Sequence, residues 1–120
     1  EESERVTSFL MTLRLSNLEM RRVSEEPLSK EKHAQTKMLF ERRFGCISCH
    51  RSLNLVGKVR GGVSGPSLVN SGLRLKPDWV FNWLTTPQKF MYEGRMPAFN
   101  LDEETAISLT KYILSIRIKP

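Results

Sequence analysis

Cys46-Ile47-Ser48-Cys49-His50 constrains this chain more than any other feature, because few chemistries suit two thiols two residues apart followed at once by an imidazole. The spacing fits attachment of a haem. Both thiols can reach vinyl groups of one porphyrin, and His50 then falls beneath the ring where it can ligate iron. A zinc half-site, a dithiol redox pair and a structural disulfide are the competing interpretations. Zinc usually takes four ligands, and the chain holds only two cysteines and one other histidine, His33, upstream of the pair. A thioredoxin-like pair would sit among alternating strands and helices, whereas the residues around Cys46 suggest helix before and irregular loop after. Haem attachment is therefore expected, with a fortuitous or redox Cys-x-x-Cys as the alternative.

At 120 residues the chain is one domain, or one domain with an extension, whose core a haem would enlarge. Apolar runs such as Tyr112-Ile113-Leu114 are far too short to cross a bilayer, so no membrane span is expected. The chain opens at Glu1 without a basic and apolar leader, so any export signal is expected to have been removed or to lie outside this sequence. Covalent haem attachment normally takes place outside the cytoplasm, which points to a periplasmic or otherwise exported protein. Net charge is +6, unevenly spread. Residues 1–45 carry nine Lys or Arg against eight Asp or Glu, but residues 46–101 carry seven (Arg51, Lys58, Arg60, Arg74, Lys76, Lys89, Arg95) against two, Asp78 and Glu93. Such loops would steer an acidic redox partner. The cations are spread singly, with no nucleic-acid-binding motif, so no nucleic-acid partner is expected.

Ser3 to Val23 suggests a helix with Val6, Phe9, Leu10, Leu13 and Met20 on one face, interrupted at Glu26-Pro27. Ser29 can cap a second helix carrying Leu39, Phe40 and Phe44, which Gly45 ends. Residues 51–75, rich in glycine and poor in apolar periodicity, are expected to form loop. Pro77 suits the first turn of a short helix, Asp78 to Leu84, closed by Thr86-Pro87. After a further loop to about Leu101, Asp102 can cap a last helix with Ala106, Leu109, Ile113 and Ile116 facing inward. With no strand signal, the chain is expected to be all-α with long loops.

The motif Cys46 to His50, the segment Gly65-Pro66-Ser67-Leu68, and Arg95-Met96-Pro97-Ala98-Phe99 before an acidic helix start follow one another in an order and spacing that resembles class I cytochromes c. The likeness spans about residues 29–118. It is nearest to bacterial monohaem domains in which a tryptophan-containing helix, here Lys76 to Leu84, precedes a proline and then the Met-Pro segment. The resemblance implies the cytochrome c fold, all-α with haem-wrapping loops, over residues 29–120, with residues 1–28 as an added N-terminal helical extension. It implies one covalent haem c on Cys46 and Cys49, with His50 and Met96 as iron ligands. Met91 is close enough to compete, but Pro97 would stiffen the loop bearing Met96. Pro66 would accept the Nδ1 proton of His50, Gly65 would let the backbone approach, and Leu68, Leu73, Val80 and Phe99 would supply apolar walls.

Trp79 and Trp83 share a helix face, and Trp79 is the one the family often places near a haem propionate. Arg60, Arg74 and Arg95 are candidates to pair with propionates, Phe40 and Tyr112 to join the crossing helices, and His33 to lie exposed. The function implied is one-electron transfer between redox proteins without substrate turnover, as a free carrier or as a domain of a larger redox protein. The alternative is a haem-based sensor or small haem enzyme with an open or displaceable sixth position. Residues 1–28 lie outside the likeness; their apolar face is expected to meet a second copy or a partner subunit, or else to fold back on the domain.

Overall fold

The computed structural model describes residues 2–6, 21–54, 56–87 and 95–118. The elements that position the site are α1 (Lys30–Met38), continued by a π-helical turn (Leu39–Arg43), a 3-10 turn (Cys46–Ser48), β1 (Arg51–Leu53), β2 (Val59–Gly61), α2 (Ser71–Arg74), α3 (Pro77–Thr85) and α4 (Glu103–Leu114). The expectation of an all-α cytochrome c fold is overturned. The fold is a small mixed one, in which β1 and β2 pair antiparallel with Arg51 opposite Gly61, Ser52 opposite Arg60 and Leu53 opposite Val59.

The hairpin forms inside the stretch expected to be loop because Asn54 closes a turn. Its Oδ1 accepts from the backbone N–H of Val56 and of Lys58, at 3.0 and 2.9 Å, and its own N–H donates to the Lys58 carbonyl at 2.9 Å. An Asn side chain that mimics backbone in this way reverses the chain without a long apolar run on either side. α2 also lies within the expected loop, where Ser71 is fully buried and donates to the Ile113 carbonyl at 2.5 Å.

Local chemistry sets the helix limits. Ser29 caps α1 by accepting from Lys32 N–H at 3.2 Å, and Asp102 caps α4 by accepting from Thr105 N–H at 2.7 Å. Pro77 stands at the start of α3, where its missing N–H costs nothing. α4 is the central element, packed by α1, α2 and α3. Its inward stripe Ala106, Leu109, Ile113 and Ile116 is buried, and so are Ser108, Thr110 and Tyr112 on its flanks. Phe40, with no exposed surface, meets the Tyr112 ring at 5.2 Å, the contact that the resemblance implies. His33 is no exposed bystander. Its ring lies 5.0 Å from that of Tyr112, and Nε2 is 3.1 Å from Ser115 Oγ, which spends its own proton on the Tyr112 carbonyl and so accepts from the imidazole.

Residues 2–6 are helical and exposed, while residues 21–29 have no regular structure, so the helix expected to reach Val23 does not extend there. Phe9, Leu10, Leu13 and Met20 lie outside the described residues. The described part of the extension lies on its own chain. Val23 is buried with Phe81 and Ala106, its N–H donates to Asp78 Oδ1 at 2.6 Å, and Arg21 sits 5.0 Å over the Phe81 ring and pairs with Glu103. Among the described residues no helix is long and apolar enough to cross a membrane.

Glu41, in the π-helical turn, ties the helical layer to the hairpin by pairing with Lys37 at 2.7 Å and with Arg60 of β2 at 2.5 Å. Burial alone would raise its carboxyl, but hydrogen bonds and charge from Lys37 and Arg60 outweigh it and hold the carboxyl below its ordinary value of 4.5. A carboxyl lowered by folding stabilises the fold above its unfolded value, and that contribution is lost as pH falls through the lowered one. Urea unfolding midpoints should therefore fall from neutral pH into the acid range by less in Glu41→Gln than in the unsubstituted chain; equal pH dependence would mean that the pairing contributes nothing.

Candidate haem-attachment site

The site is built on the turn that follows the first helix. The π-helical turn closes with Phe44 N–H donating to the Leu39 carbonyl at 2.9 Å, and the chain then reverses through Gly45 into the 3-10 turn. Within that turn His50 N–H donates to the Cys46 carbonyl at 3.0 Å, which fixes the imidazole relative to the first thiol. Both cysteines are unbridged thiols, Cys46 partly buried against the main core and Cys49 exposed. Burial pushes the Cys46 thiol up to about 11, whereas hydrogen bonds from Ser64 and Ser48 pull Cys49 below its ordinary value.

The returning strand and the segment after it lie directly on this turn. Gly62 N–H donates to the Ile47 carbonyl at 2.9 Å and Gly65 N–H to the Cys49 carbonyl at 2.8 Å. At Gly62 a Cβ would stand 1.9 Å from the Ser48 carbonyl oxygen, so no side chain is admitted. His50 Nδ1 lies 2.6 Å from the Pro66 carbonyl oxygen. A carbonyl can only accept, so Nδ1 carries the proton, and in the neutral ring Nε2 is left with its lone pair for a metal. A Cβ on Gly65 would stand 2.7 Å from His50 Cε1 and 2.9 Å from Nδ1, so the imidazole rests flat on a glycine.

Cys46, Trp79 and Met96 are partly buried against one core cluster that includes Leu68, Val80 and Phe40. The Trp83 indole N–H donates to Met96 Sδ at 2.9 Å, and the rings of Trp79 and Trp83 stack at 5.4 Å, inclined by 10°. Phe99 packs edge-on against Phe44 at 5.6 Å. Leu73, by contrast, is 65% exposed and forms no apolar wall. Arg60 is engaged by Glu41, and Arg74 donates to the Ser67 carbonyl at 2.7 Å, so both guanidinium groups hold protein partners. Arg95 is exposed, and the competing Met91 lies outside the described residues.

No family model matches the chain, and none of the curated proteins matches its sequence.

The residues fit an iron porphyrin held by thioethers. Two free thiols lie on one tight turn, the following imidazole has its distal nitrogen left for metal, and a thioether is gathered onto the same core as Cys46. Among the described residues no three His, Cys, Asp or Glu side chains are grouped to hold a bare metal ion. The approach of Gly62 and the Trp83 bond to Met96 were not anticipated from sequence. Gly62 is one of several glycines in a short run, and nothing in its neighbours marks which one meets the backbone. The Trp83 contact joins residues 13 apart, beyond the reach of local periodicity.

Gly65→Ala tests the cradle. The added methyl collides with the ring, so the Nδ1 bond to Pro66 must break or the segment must move. Haem loading of the exported variant, measured by absorbance per polypeptide, should drop several-fold while Val63→Ala, at an exposed neighbour, loads normally; equal loading of the two would show that the imidazole does not depend on this contact.

Proposed function

We propose that this chain is a c-type haem domain that passes single electrons between redox proteins. The observation that carries this is the His50 imidazole, with Nδ1 2.6 Å from the Pro66 carbonyl and its face on Gly65, directly after a pair of free thiols. Bound there, an iron porphyrin supplies a one-electron couple whose potential a His and Met ligand pair raises relative to two imidazoles. The protein's contributions are separable. Cys46 and Cys49 tether the group covalently, so that it cannot dissociate. The Pro66 carbonyl holds the Nδ1 proton, which fixes the ring and makes Nε2 a stronger donor. Met96 would offer a soft thioether as a second iron ligand, stiffened by Pro97. Leu68, Val80 and Phe40 exclude water from the surrounding core.

The partner class follows from charge. Arg51, Lys58, Arg74, Lys76 and Arg95 are exposed, and the described acidic residue in the same stretch, Asp78, is half-buried under the Val23 N–H. A basic surface beside the site favours encounter with acidic redox proteins, and salt screens it. Thioether formation places maturation outside the cytoplasm, in a periplasm or equivalent compartment. No substrate turnover is part of this function.

The test is the mass of the exported protein under denaturing conditions, which should exceed the polypeptide by one haem; a bare polypeptide from a strain able to attach haem would refute the proposal. In the loaded protein Met96→Ala should abolish the thioether-to-ferric-iron absorption and give a high-spin or exogenously ligated spectrum, whereas an unaltered spectrum would move the sixth ligand elsewhere.

A further inference from the structure

Residues 21–23 have no part in the function above, yet α3 and α4 hold them at several points. The Val23 N–H donates to Asp78 Oδ1 at 2.6 Å. One turn further along α3, Asn82 grips the backbone of Arg21 twice: its Nδ2 donates to the Arg21 carbonyl at 3.2 Å, and its Oδ1 accepts from the Arg21 N–H at 3.4 Å. Side chains four apart on a helix stand about 6 Å apart, close to the roughly 6.6 Å between alternate residues of an extended chain. Asp78 and Asn82 therefore meet Val23 and Arg21 and skip Arg22. The same strap also touches α4. Val23 is buried with Ala106 as well as Phe81, beside Leu101 and Ile107, and Arg21 pairs with Glu103 while lying over the Phe81 ring. Met96 lies in sequence between these two helices, shortly before the Asp102 cap of α4, and packs on a core drawn from both, Val80 and Leu84 of α3 with Leu109 and Ile113 of α4. The strap can make all its contacts only at one spacing of α3 and α4, so it favours that spacing over others.

We propose that residues 21–23 are a clasp on the sixth iron position: by holding α3 against α4 they favour the arrangement that keeps Met96 on the metal, and their release opens that position to an outside ligand. This rests on Met96 being the sixth ligand, as proposed above. An outside imidazole that takes the position replaces an iron–sulfur bond by an iron–nitrogen bond; each donor keeps its own lone pair, and no proton or electron changes hands. The coupling is reciprocal, so that weakening the clasp tightens the outside ligand and binding the outside ligand loosens the clasp. Val23 is the residue on which it turns, because it is buried, whereas the Arg21 pair with Glu103 is exposed and contributes little.

Imidazole titration of the ferric, haem-loaded protein, followed by loss of the thioether-to-ferric-iron absorption, tests this. Val23→Asp sets a second carboxylate against that of Asp78 and undocks the strap without touching either helix, so imidazole should displace the thioether at roughly tenfold lower concentration. Asp78→Ala should act in the same direction. Asp78→Asn keeps an acceptor for the Val23 N–H and should bind imidazole as the unsubstituted protein does. Glu41→Gln loosens the hairpin instead and should leave the titration unchanged. A Val23→Asp titration equal to that of the unsubstituted protein overturns the proposal, as does an equal gain in Glu41→Gln.

Should Val23→Asp fail to load haem, amide hydrogen exchange in the unsubstituted ferric protein decides the matter. Saturation with imidazole should speed exchange at the Val23 N–H several-fold while leaving the Gly62 N–H, which bonds to the Ile47 carbonyl, as it was. Exchange at Val23 that is indifferent to imidazole overturns the clasp. The two levels fail separately. An unaltered spectrum in Met96→Ala removes the ligand assignment and this proposal with it, whereas loss of the absorption in Met96→Ala with Val23 exchange indifferent to imidazole overturns the role of the strap alone.

Discussion

The backbone that returns after the hairpin holds the His50 imidazole from two sides, and the rest of the site depends on that grip. One side is the Pro66 carbonyl at 2.6 Å from Nδ1, and the other is the bare Cα of Gly65 against the ring face. A hydrogen bond of this kind contributes only about 1 kcal/mol to stability. Its importance is directional, because it selects the tautomer that leaves Nε2 available and stops the ring from turning about χ2. The segment can be in place only because Gly62 N–H and Gly65 N–H bond to the carbonyls of Ile47 and Cys49, which leaves no room for a side chain at Gly62. The turn that carries the thiols and the segment after β2 that orients the imidazole are thus one hydrogen-bonded unit.

That unit is anchored to the helical layer by charge as well as by packing. Glu41 reaches Arg60 of β2 from the π-helical turn that leads into Cys46, and Leu68 N–H bonds to the Arg51 carbonyl at 2.8 Å. On the other side α4 gathers α1, α2 and α3, and through α3 it fixes Trp79 and Trp83 beside Met96. The imidazole is set by backbone after the hairpin and the thioether by helix side chains. These two supports differ in physical kind, and substitutions at Gly65 and at Trp83 act on one of them each. The strap Arg21 to Val23 ties α3 to α4 through Asp78, Asn82 and Glu103.

What could be read from the sequence was what local chemistry controls. The caps Ser29 and Asp102, the start of α3 at Pro77 and the inward stripe of α4 each follow from a residue acting within four positions of itself. The thiol pair with His50 was legible for the same reason. The hairpin was not, because strands of three residues are too short to show an alternating pattern and Asn54 makes its turn by a side-chain bond that glycine content obscures. Leu73 and His33 were misjudged for a different reason. Their exposure depends on which elements pack over them, so that an apolar leucine is left on the surface while a polar histidine is drawn in by Tyr112 and Ser115. The partner of Met96 was out of reach because a contact between residues 13 apart leaves no mark on either neighbourhood.

The central claim is that His50, with its Nδ1 proton held by Pro66, ligates a covalently attached iron porphyrin through Nε2. Nitrogen-15 NMR of the ferrous, haem-loaded protein labelled at histidine tests it most directly. The account predicts a His50 Nδ1–H that exchanges slowly with solvent and an Nε2 resonance shifted by iron with no proton attached. A proton found on Nε2, or an Nδ1–H that exchanges as fast as that of a free imidazole, would contradict it.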